Sequence, residues 1–146
     1  MTEYIHWKLD EEEPIDPADP LGNITIAGDE GILKEQDIFV DSFLEALVKG
    51  LNLIETQDTI RVDLIDEPDE LVFLKKEKGI QIKYKNQNVT ILDDESFSHQ
   101  LSSVIRSFLT VVDQASQRMG KEKFDFIKLR GYINKVEILN HKYESI

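Results

Sequence analysis

The sequence predicts an α+β domain, with a mostly antiparallel sheet of four to six strands and two or three helices packed on one face. Three observations predict it. Apolar residues recur with a period near 3.6 in two long windows. Between those windows, short runs alternate apolar and polar side chains. The links between the runs are only a few residues long, which suits antiparallel hairpins and leaves no room for parallel crossovers.

The elements follow in order. Residues 4–9 alternate imperfectly and hold the only tryptophan, Trp7, so they read as a short strand. The segment at about 10–22 is acidic, and Pro14, Pro17 and Pro20 exclude helix and central strand there. Residues 23–27 alternate between Gly22 and Gly28 and read as a second strand, followed by a turn at 29–31. A helix follows, with Asp37 as its expected cap and a broad apolar face of Val40, Phe43, Leu44, Leu47, Val48, Leu51 and Ile54. Gly50 is a weak point in that helix.

Runs beginning at Thr59, Leu71, Ile80 and Val89 then read as a meander with one packed and one wet face. A second helix is expected from Asp93 or Asp94 to Gly120, with Phe97, Leu101, Val104, Phe108, Ala115 and Met119 on one stripe. Phe124, Ile127, Tyr132, Val136 and Leu139 suggest a third helix over 121–143, which Gly131 and the β-rich residues 136–139 would break or convert to a strand. One domain over residues 1–146 is expected, of a length that buries roughly 68–70% of the unfolded surface.

Composition excludes several chemistries. The absence of cysteine removes disulfides, thiolate metal sites and cysteine nucleophiles. The opening lacks a basic n-region and an apolar core, and no run approaches a membrane span, so a cytoplasmic location is expected. The formal net charge of −12 opposes binding to nucleic acid and to anionic membranes, and favours a basic partner or simple solubility. Residues 1–41 alone carry 12 acidic against 2 basic side chains, whereas residues 118–146 carry 4 against 7.

No motif supplies a catalytic centre or calls for a cofactor or metal. Counted from Asp16, the acidic loop fails the calcium-loop pattern, because Gly22 falls one place late and Ala27 stands where a bidentate carboxylate is needed. His6, His99 and His141 are far apart, without metal-ligand spacing. Ser42 lies within a helix and has no flanking glycine elbow, and Ser96 and Ser98 suit a helix start. Acid pairs such as Asp63 with Asp66 and Glu67 are expected by chance among 29 carboxylates. Lys75, Lys76, Lys78, Lys83 and Lys85 form one basic cluster across a predicted hairpin, which suits a charged edge or a small-anion site.

The candidate binding residues are therefore Glu11, Glu12, Glu13, Asp16 and Asp19, with Trp7 as an aromatic anchor. An aromatic ringed by carboxylates suits a basic protein partner, because the ring supplies buried area and the acids steer encounter. The competing reading makes Tyr4 and Trp7 core residues of an edge strand. In size, acidity, lack of cysteine and the run Asp10 to Glu13, the whole chain resembles small bacterial immunity proteins, without a specific motif. That resemblance implies a non-enzymatic domain that neutralises a toxin by binding it. The alternatives are an enzyme with an unfamiliar carboxylate site and a small-ligand or regulatory module. A homodimer through Phe39 and Phe43 is a further expectation.

Overall fold

Seven strands form one sheet in the order β1-β2-β3-β7-β6-β5-β4, and every neighbouring pair is antiparallel. The computed structural model describes residues 3–10, 20–64, 68–118, 120 and 129–133. Along the chain the elements are β1 (Ile5–Leu9), β2 (Leu21–Ala27), β3 (Glu30–Phe39), α1 (Val40–Ile54), β4 (Thr59–Asp63), β5 (Glu70–Lys75), β6 (Ile80–Tyr84), β7 (Gln87–Ile91) and α2 (Asp94–Arg118). Residues 129–133 are also helical. The α+β class and its antiparallel sheet stand as expected, with one strand more than the upper estimate.

The period of two decides which face is buried. Ile24 and Ile26 on β2, Ile60 and Val62 on β4, Leu71 and Phe73 on β5, Ile80, Ile82 and Tyr84 on β6, and Val89 and Ile91 on β7 are all buried. Both helices cover this face. The Phe43 ring of α1 meets Tyr84 edge to face at 5.8 Å, and on α2 Phe97 and Phe108 meet Tyr4 and Trp7 of the β1 region at 6.0 and 5.8 Å. Each large apolar side chain buried here contributes roughly 1.5–3 kcal/mol. The opposite face of the sheet is open and polar. Its register places Lys34 beside Thr25, and Lys83 between Val72 and Asn88.

Between two periodic strands, β3 escapes the simple pattern. A register shift lies between Gly22 and Ile24, where two residues of β3 oppose one of β2. Asp37 sits at that bulge with φ of 53°, and its N–H donates to Asn23 Oδ1 at 3.4 Å. It is therefore a strand residue and not the cap of α1. The helix starts at Val40 with Phe39 as N-cap and no side-chain capping bond. Its first amide is satisfied instead by the Pro20 carbonyl, 3.0 Å from Val40 N. Of the apolar strip at the start of α1, Phe43 is fully buried in the core and Phe39 is half-buried.

The start of α2 agrees with expectation, since Asp93 Oδ1 accepts from Ser96 N at 3.0 Å. Gly120 N–H bonds to the Gln117 carbonyl at 3.1 Å, just beyond the last turn. Of the third helix expected over 121–143, only 129–133 lie among the described residues, and Val136 to Leu139 lie outside them.

The sheet consists of two hairpin groups joined at one seam. Only Glu30 and Gly31 of β3 stand in register with β7, opposite Thr90 and Val89. Gly31 has φ of 78°, and a Cβ there would overlap the Asn88 carbonyl. Beyond this pair a side chain continues the ladder. The Gln87 amide accepts from Lys34 N at 2.7 Å and donates to Lys34 O at 3.0 Å, as a strand backbone would.

Two stability predictions follow from close contacts. Gln87→Ala removes both bonds to Lys34 and is expected to cost about 1–2 kcal/mol in urea denaturation, whereas an unchanged midpoint would mean that Glu30 and Gly31 suffice to hold the seam. Gly50→Ala tests α1 against β5. A methyl at Gly50 would overlap the buried Phe73 ring. Helix propensity favours alanine by about 1 kcal/mol, while overpacking costs about 1–3 kcal/mol. Net destabilisation is expected, and a rise in stability would show that the ring can move aside.

Candidate functional site

The acidic candidates Glu11, Glu12, Glu13, Asp16 and Asp19 lie outside the described residues, but both ends of their loop are fixed. Leu9 stands opposite Gly22, and Asp10 N–H donates to the Leu21 carbonyl at 3.0 Å. Pro20 is buried, with its carbonyl on Val40 N. The loop therefore leaves and re-enters the fold at one point, beside the start of α1. Residues 10–20 carry six carboxylates and no lysine or arginine.

Trp7 is half-buried on β1 and packs on the core, its ring 5.8 Å from that of Phe108. Tyr4 is buried more deeply. Its hydroxyl donates to Asp29 Oδ2 at 3.0 Å, and its N–H donates to Gln100 Oε1 at 2.6 Å. Burial, and then the hydrogen bond and charge of Asp29, push the Tyr4 phenol above its ordinary value. Asp29 Oδ2 also accepts from Leu92 N at 2.8 Å, so one carboxylate ties the β2–β3 turn to β1 and to the end of β7. Trp7 of β1 and Tyr4 just before it thus support α2, and part of the Trp7 surface remains accessible.

The other candidates disperse. His6 is exposed on the open sheet face, with Nδ1 3.7 Å from Glu3, and His99 is exposed on α2; His141 lies outside the described residues. Among the described residues no group of three histidine or acidic side chains is placed to hold a metal ion. The lysine cluster is divided by the length of β6. Lys75, Lys76 and Lys78 surround the β5–β6 turn, while Lys83 and Lys85 lie at the far end of β6. Lys85 pairs with Glu35 at 2.9 Å and lies 5.3 Å from the Tyr84 ring centre. Beside it, Arg61, Asp69, Glu70 and Lys83 border a shallow depression of about 400 Å³ on the open face, where Arg61 and Glu70 pair at 2.6 Å.

A feature that sequence reasoning missed is a cleft of about 550 Å³ at the β4 edge. Ala46 and Leu53 of α1, Val62 of β4 and Tyr132 supply its apolar lining, and Glu45, Lys49, Asn52 and Asp63 its polar groups. The segment 129–133 closes one side. It is held by Arg130 on Asp113 at 2.8 Å and by Tyr132 Oη, which donates to the Ser98 carbonyl at 3.4 Å. Burial pushes the Tyr132 phenol up as well. No local pattern marks this cleft, because residues 46, 62 and 132 meet only in the fold. Here Ser42 is part of the lining, buried within α1.

No protein-family model, no curated protein and no solved structure matches the chain. Among the described residues no helix is long and apolar enough to cross a membrane.

The two raised phenols predict a pH response. Below about pH 10 both are protonated in the folded and unfolded states, and their contribution to stability is fully present. As the pH rises further the unfolded chain releases these protons first, so stability is lost through the folded-state values. In denaturant melts between about pH 10 and 12, the Tyr4→Phe, Tyr132→Phe double variant is expected to lose stability less steeply with pH than the parent. Equal slopes would show that neither phenol contributes to the alkaline response.

Proposed function

We propose that this chain is a non-enzymatic interaction domain that binds a basic protein partner through its acidic β1–β2 loop. The observation that carries the reading is the concentration of charge. Six carboxylates without a counter-charge fall on a single loop whose two ends are fixed side by side. A fixed stem limits the region the loop can sample, which lowers the ordering cost of binding. A cluster of one sign also raises the rate of encounter with a cationic surface, by a factor of about 10–10³.

Beyond the loop the sign is mixed from face to face. The open sheet face carries Lys8, Lys34, Arg61 and Lys83 against Glu30, Asp63 and Glu70, so it would not attract a basic partner. The sharpest form of the proposal is an immunity protein whose loop occupies the cationic cleft of a nuclease toxin, with the accessible part of Trp7 at the rim of the contact. In that role the acids would take the place of the phosphates of a nucleic acid.

The test is retention of partners from source lysate at low and high salt, followed by kinetics with the partner identified. Replacing Glu11, Glu12 and Glu13 by Gln, and Asp16 and Asp19 by Asn, is expected to slow association at low salt by at least about tenfold while the melting temperature stays the same. If the partner is a nuclease, its activity should return as the complex weakens. Association that is indifferent both to salt and to these substitutions would overturn the reading.

A further inference from the structure

We draw no further inference here: the strongest candidate, the apolar cleft between α1 and the edge strand β4, is bordered by the short segment 129–133, and nothing in the structure shows what covers it.

Discussion

The fold depends on the short seam between β3 and β7. Two hairpin groups, β1–β3 and β4–β7, meet there through one stretch of backbone register at Glu30 and Gly31. A side chain at position 31 would collide with the Asn88 carbonyl, so the close approach requires glycine. Past that point the strands diverge, and the Gln87 amide supplies the bonds that the backbone no longer makes. At the other end of the seam, Asp29 gathers Tyr4 and the Leu92 amide onto one oxygen.

The seam also sets the two edges. Joining the groups at β3 and β7 leaves β1 and β4 outermost, and α1 carries the chain from mid-sheet to the far edge. Because α1 crosses the packed face, it runs beside β4 and creates the cleft there. The acidic loop is placed by the opposite edge, since it links β1 to β2.

Much of the architecture was legible. Strands β2, β4 and β6 follow from alternation, β5 and β7 from short apolar runs between turns, and α2 from its stripe and its cap at Asp93. The strand β3 was not, for a physical reason. Its buried residues Leu33 and Ile38 are five positions apart, because the bulge at Asp37 resets the alternation. A period of two cannot be read across a bulge. Asp37 was misleading in the same way, since a carboxylate just before an apolar face has the same composition whether it caps a helix or turns a strand. Of the candidate contacts, Trp7 was legible as an aromatic but not as a partner of Phe108, which lies 101 positions along the chain.

By itself the sequence determined the class of the fold, the positions of most elements, and the gathering of negative charge on residues 10–20. These are local properties, since periodicity, proline and charge need no distant neighbour. Tertiary structure alone decided which strands became edges, how the lysines of 75–85 were divided, and where the cleft opened. Each of these depends on side chains far apart in sequence meeting at atomic distance. Which of them meet is settled by loop closure and by complementary shape, and neither is encoded in a window of ten or twenty residues.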